Sequence, residues 1–85
     1  KKRAEWMCKQ MKLKGIEYYS HPYSNIITIK ACCLDKSIAR RFGLVPDNHN
    51  NPNWYKIVLM EHVTIEKLIP LLQELHPSKE AELNA

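Results

Sequence analysis

The first part of the chain carries a repeating pattern of apolar residues separated by charged ones. The apolar positions are Ala4, Met7, Cys8 and Met11. This i, i+3, i+4, i+7 spacing places them on one side of an α-helix, with Lys and Glu around it. Gly15 stands where a glycine in the left-handed conformation commonly ends a helix. The pattern therefore predicts a helix over residues 2–14.

Three short segments rich in β-branched and aromatic residues predict strands. They cover residues 16–19, 25–30 and 54–60, with a bend at 20–22 that contains His21 and Pro22. The second segment is apolar on both faces, which is typical of an interior strand that is covered on both sides. In the third segment Tyr55 and Ile57 point to one face and Lys56 to the other, because side chains alternate along a strand.

Two further helices are predicted in the second half of the chain. The first has Asp35 as its N-cap, a stripe of Leu34, Ile38 and Phe42, and Gly43 as its end. The loop over residues 45–53 contains two Pro and four Asn. The last helix has Thr64 as its N-cap, and Pro70 is expected either to kink it or to delay its start. Its predicted apolar stripe consists of Ile65, Leu68, Ile69, Leu72 and Leu75.

The predicted order of elements is α-β-β-α-β-α. Amphipathic helices beside a small, mainly antiparallel sheet predict an α+β fold with the form of a two-layer sandwich. The 85 residues are enough for one domain, which we place at 1–77, followed by a polar tail at 78–85. Because the chain does not begin with Met and starts inside a helical pattern, we expect it to be part of a longer chain.

Charge and cysteine content narrow the classes of function. The net charge is +4, which is compatible with an anionic partner, although basic residues on amphipathic helices most often form a solvated face. The three Cys residues form no C-x-x-C pair and no disulfide framework, which indicates a reducing, cytoplasmic compartment. The apolar runs are too short for a membrane span, and the two Gly are too far apart for a phosphate-binding loop.

The sequence shows no complete catalytic constellation and no spacing typical of a metal site. The four His are scattered, and the adjacent Cys32 and Cys33 lack a base at a known spacing. Two non-enzymatic functions stay open: a free-standing interaction or regulatory module, and an RNA-binding module. The RNA-binding alternative is weakened because the central strand has no aromatic residue for base stacking. We therefore expect neither nucleic acid nor membrane as a partner.

Three segments together resemble a known enzyme family. They are NWYKIVLMEHVTIEKLIPLLQEL at 53–75, MKLKGIEYYSHPYSNIITIK at 11–30 and DKSIARRFGL at 35–44. Their order and spacing are similar to the end of group II pyridoxal-phosphate-dependent amino acid decarboxylases, especially the histidine/serine and archaeal tyrosine/aspartate types. One departure is Glu61, where the family commonly has Pro before the His.

The resemblance implies the small C-terminal domain of a fold-type I lyase of amino acid metabolism. It implies a cytoplasmic homodimer whose large domain holds pyridoxal phosphate and, with this domain, frames the pocket for an amino acid substrate. The Lys that carries the cofactor is absent here, so the resemblance implies no catalytic or cofactor-binding residue in this chain and no activity of the chain alone.

The resemblance implies one substrate-binding residue, Lys56. Related glutamate decarboxylases have at this position an Arg that contacts the substrate carboxylate. A cation can orient that group for reaction, although Lys supplies a point charge and not the two-pronged Arg fork. The alternative is a solvent-facing strand lysine.

Overall fold

A computed structural model describes residues 2–20 and 23–77. Its elements are helix α1 (Lys2–Lys14), strands β1 (Tyr18–Ser20) and β2 (Ile26–Lys30), a 3₁₀ turn (Ala31–Cys33), helix α2 (Lys36–Arg41), strands β3 (Val45–Pro46) and β4 (Trp54–Val58), and helix α3 (Ile65–Glu74). The α+β fold predicted from the sequence is confirmed, with one short strand added between the second helix and the last predicted strand. The bend at His21 and Pro22 and the tail at 78–85 lie outside the described residues.

The described strands form one antiparallel sheet in the order β1-β2-β4-β3. The central pair, β2 and β4, is in register over five residue pairs, from Ile26 opposite Val58 to Lys30 opposite Trp54. The edge strand β3 pairs with β4 through Val45 and Pro46. The sequence predicted a loop there, because Pro and Asn dominate the segment and two residues are too few to give a strand pattern.

The helices pack on one face of the sheet, where they enclose the core. Helix α1 contacts β1, β2 and α3. The sheet contributes Ile27, Ile29, Tyr55 and Ile57 to this face, and all of them are buried. The helices contribute Ala4, Met7, Met11, Ala39, Leu68 and Leu71. The prediction that β2 is an interior strand is confirmed, since it lies between β1 and β4. Ile27 and Ile29 are buried on its core face, and Thr28 on the other face is only 3% exposed.

Two glycines end helices in the same way and turn the chain into the core. Gly15 has φ +77° and Gly43 has φ +69°, the left-handed conformation that glycine adopts without steric cost. The N–H of Ile16 donates to the carbonyl of Met11 at 2.9 Å, and Leu44 makes the equivalent bond across the same six-residue span at 2.8 Å. Both arrangements are Schellman motifs, and both place a buried apolar residue directly after the glycine.

The ends of two predicted strands are corrected by these turns. Strand β1 begins at Tyr18 instead of at position 16, because the backbone N–H of Ile16 is used to close α1. Strand β4 ends at Val58 instead of Met60, and Glu61 and His62 lie in a turn.

Helix α3 buries a different face from the one predicted. Leu68 and Leu75 are buried as expected, but Leu71 replaces Ile65 and Ile69, which are exposed. The capping prediction for Thr64 is confirmed, since its hydroxyl oxygen accepts a hydrogen bond from the N–H of Lys67 at 3.4 Å.

The capping prediction for α2 is right in position only. Asp35 is the N-cap residue, yet its side chain makes no capping hydrogen bond. Its backbone carbonyl instead accepts from the N–H groups of Ile38 and Ala39. None of the helices in the described part of the chain is long and apolar enough to cross a bilayer.

Candidate functional site

The face of the sheet opposite the helices, here called the open face, carries exposed apolar side chains between polar ones. Strand alternation assigns to it Glu17, Tyr19, Ile26, Thr28, Lys30, Val45, Trp54, Lys56 and Val58. Tyr19, Val45 and Val58 are 45%, 54% and 42% exposed. Exposed apolar side chains grouped on one face of a sheet are typical of a surface that takes part in an interaction.

Lys56, the one site residue that the sequence predicted, lies near the middle of the open face. It is exposed on β4, directly opposite Thr28 of β2 on one side and Val45 of β3 on the other. Within the described residues it makes no ion pair. The structure therefore places Lys56 between a buried threonine and an exposed valine, and its role as a substrate contact stays a prediction.

A second charged group on the open face is already neutralised. The ammonium Nζ of Lys30 lies 3.0 Å from Oε2 of Glu17, and both side chains are partly exposed. An exposed pair of this kind stabilises the fold by less than about 1 kcal/mol. Lys30 is therefore a natural reference for Lys56, since it has the same charge, lies on the same face and has a carboxylate partner.

An aromatic pair spans the open face beside these charges. The rings of Tyr19 on β1 and Trp54 on β4 meet edge-to-face, with centroids 5.1 Å apart. Between these strands Thr28 is only 3% exposed, although it points to the same face. The sequence showed the two aromatics as strand residues but gave no sign of their contact, because it depends on the pairing order β1-β2-β4.

The cysteine residues considered from the sequence lie in different surroundings. Cys33 is buried, and burial raises the pKa of its thiol, while Cys32 is exposed. Cys8 lies far along the chain, with its sulfur 3.6 Å from the hydroxyl of Ser20. Across residues 2–20 and 23–77 no group of three His, Cys, Asp or Glu side chains could hold a metal ion.

The comparison with known proteins relates this chain to part of an enzyme. No protein-family model matches the sequence. The chain is 42% identical over 84 residues to the tryptophan decarboxylase of Clostridium sporogenes. The resemblance to a decarboxylase is confirmed. The match covers 98% of this chain and 20% of that relative, so the chain corresponds to one part of a much longer decarboxylase. The match does not show that the decarboxylase is of the group II type, so that part of the resemblance stays a prediction.

Proposed function

We propose that this chain is the C-terminal domain of a pyridoxal-phosphate-dependent amino acid decarboxylase and that its open face packs on the large domain of that enzyme. The observation that carries the proposal is the match, which spans nearly all of the chain and one fifth of a decarboxylase. In this proposal the whole enzyme is a cytoplasmic homodimer and a lyase of amino acid metabolism, and the 85 residues alone are inactive.

The apolar character of the open face supports the docking part of the proposal. Removal of apolar surface from water stabilises an interface by about 25 cal/mol per Å². Tyr19, Val45 and Val58 offer such surface, whereas the opposite face of the sheet is already occupied by the helices. Four fifths of the decarboxylase relative lies outside the matched region, which provides a partner for this face within the same polypeptide.

The position of Lys56 supports a role in the substrate pocket. Docking of the open face removes water from around its ammonium group, and a drier surrounding strengthens the attraction between that group and a carboxylate. The protein part of decarboxylation is to hold the substrate carboxylate in one orientation, and a fixed cation contributes to this. Lys56 is therefore proposed to bind the carboxylate of the amino acid substrate.

The described residues do not by themselves form a site for pyridoxal phosphate. Glu17, the carboxylate that the described part of the open face contains, is paired with Lys30 and is not available to a pyridine nitrogen. Such a cofactor, when bound, supplies an electron sink for the cleaved bond. In this proposal the cofactor is held by the rest of the enzyme, and this chain contributes one wall of the substrate pocket and the ammonium group of Lys56.

The role of Lys56 is tested in the complete enzyme with two matched substitutions. Lys56→Gln is expected to lower kcat/KM for amino acid decarboxylation at least tenfold, whereas Lys56→Arg keeps most of it. Lys30→Gln removes the same charge from the same face and is expected to change kcat/KM less than threefold. Carbon dioxide release over a panel of amino acids is the assay. Equal effects of Lys56→Gln and Lys30→Gln would refute the role, and release from no amino acid would refute the decarboxylase assignment.

The docking of the open face is tested independently of activity. Val58→Lys places a charge on the open face, and Leu13→Lys places one at an exposed apolar position of α1. We expect Val58→Lys to lower the thermal midpoint of the complete enzyme by several degrees and Leu13→Lys to leave it unchanged. Equal midpoints for the two variants would contradict docking, and would favour the alternative of a free-standing interaction module.

A further inference from the structure

A groove of about 230 Å³ lies on the helix side of the sheet, between α2 and the loop that precedes β4. Its floor is apolar and consists of Ala39, Leu44 and Tyr55, all of them buried. Pro46 and Pro52 add two rigid apolar surfaces to its lining. The groove is smaller than the roughly 300–1,000 Å³ of typical ligand pockets, so its size fits a ligand with a single ring.

The polar lining of the groove is basic. Lys36 and Arg40 are one helical turn apart on α2, so both extend from the same side of the helix, and His49 faces them from the loop. Among the residues that the structure describes, no carboxylate lines the groove, and neither Lys36 nor Arg40 forms an ion pair. Two like charges at this spacing repel each other, and an anion bound between them would relieve that repulsion.

The loop wall of the groove is held in place by its own hydrogen bonds. Oδ1 of Asn48 accepts from the N–H groups of Asn50 and Asn51 at 2.9 and 3.3 Å. Oδ1 of Asp47 accepts from the N–H of Asn53 at 2.9 Å. These bonds span His49 and Pro52, so the loop side of the groove is formed before any ligand arrives. A preformed wall lowers the ordering cost of binding.

We propose that this groove binds a small aromatic carboxylate. The carboxylate lies between the side chains of Lys36 and Arg40, with a further donor from His49, and the ring lies on the apolar floor. The negative charge of the ligand is required by the unpaired basic side chains, and its ring is required by the apolar floor and the two prolines beside it. The proposal concerns the helix side of the sheet and does not depend on the decarboxylase assignment.

The test compares two neighbouring arginines of α2. Arg40 lines the groove, whereas Arg41 does not, and its guanidinium lies 5.2 Å from the ring centre of Phe42. Both are exposed and carry the same charge, so Arg40→Gln and Arg41→Gln change the general electrostatic field of the chain alike. The probes are benzoate and its uncharged analogue benzamide, added at constant ionic strength to the ¹⁵N-labelled chain and followed through amide chemical shifts. The dispersion of each spectrum reports whether the wild-type or variant chain is folded.

The expected result is a benzoate titration with shift changes confined to the groove lining, which comprises α2, Leu44, β3, the loop over residues 47–53 and Tyr55 of β4. Benzamide is expected to bind at least tenfold more weakly. Arg40→Gln is expected to weaken benzoate at least tenfold and Arg41→Gln less than twofold. Equal losses in the two variants, equal affinities for the two probes, or no titration up to 50 mM benzoate would each overturn the proposal. If the isolated chain is unfolded, the same probes and variants are compared in the complete protein by saturation-transfer NMR of the ligand, with the same outcomes.

Discussion

Truncation of Leu71 is expected to destabilise the chain far more than truncation of Ile69, although the two side chains are isomers on the same helix. Leu71 is 1% exposed and Ile69 is 41% exposed. Replacing a buried Leu by Ala removes its transfer free energy and leaves a cavity, which together cost about 3 kcal/mol. At Ile69 the side chain is only partly buried and Ala is the better helix former, so the net cost is about 1 kcal/mol or less.

The measurement is urea unfolding of each variant followed by far-UV circular dichroism. A domain of this size has a total unfolding free energy of roughly 4–13 kcal/mol, so the loss at Leu71 is a large share of it. With an m-value of about 1 kcal/mol/M, Leu71→Ala lowers the urea midpoint by about 3 M and Ile69→Ala by about 1 M or less. Leu71→Met conserves volume and serves as the control, with a loss below about 1.5 kcal/mol. A loss for Ile69→Ala equal to that for Leu71→Ala would refute the packing of α3 described above.

Three further predictions use the same unfolding assay. Thr64→Ala removes the cap of α3 and is expected to cost about 1 kcal/mol, whereas Thr64→Ser keeps the hydroxyl and costs little; equal losses would exclude the capping bond. Gly15→Ala is expected to cost about 1–2 kcal/mol, because alanine is strained at a φ of +77°. The added Cβ meets only ordinary van der Waals contacts, so no clash adds to this cost. An unchanged midpoint would contradict the left-handed turn. The N–H groups of Asn53 and then Trp54 lower the pKa of Asp47 from its ordinary 3.8. Since the folded-state pKa is the lower one, the stabilisation by the carboxylate is complete above about pH 5 and is lost as pH falls through the folded-state value. The difference in midpoint between the wild type and Asp47→Asn should therefore shrink in acid, and a difference that does not change with pH would contradict it.

The elements that the sequence predicted well are those where local signals agree. In α1 the apolar spacing and the terminal Gly15 give the same end, and the observed helix has the predicted bounds. In β4 the alternation of Tyr55 and Ile57 with Lys56 places the correct residues in the core. Each signal is carried by the segment itself, so no knowledge of the packing partners was needed.

The wrong predictions concern features that depend on contacts between elements far apart in the sequence. Helix α3 has more apolar positions than one face can hold, and its packing against α1 decides that Leu71, and not Ile69, is buried. For the candidate site the sequence supplied Lys56 through a family resemblance. The neighbours of Lys56 and the pairing of Lys30 with Glu17 depend on the strand order, which cannot be read from the sequence. The groove at α2 had one local signal in the sequence, the spacing of Lys36 and Arg40, but its other wall comes from a separate loop that contains His49 and Pro52.

The proline in β3 bears on how this small sheet avoids growth into aggregates. Val45 and Asp47 direct their backbone groups toward β4, as shown by the bond from the N–H of Asp47 to the carbonyl of Trp54, so Pro46 between them faces outward. At that outward position an ordinary residue would present an N–H to any strand that approached the edge. Proline has no N–H to present, and its ring obstructs the approach. A strand of another molecule therefore cannot continue the hydrogen-bond pattern of the sheet at this edge. The two-residue β3 covers the edge of the longer β4 and so protects it from such pairing.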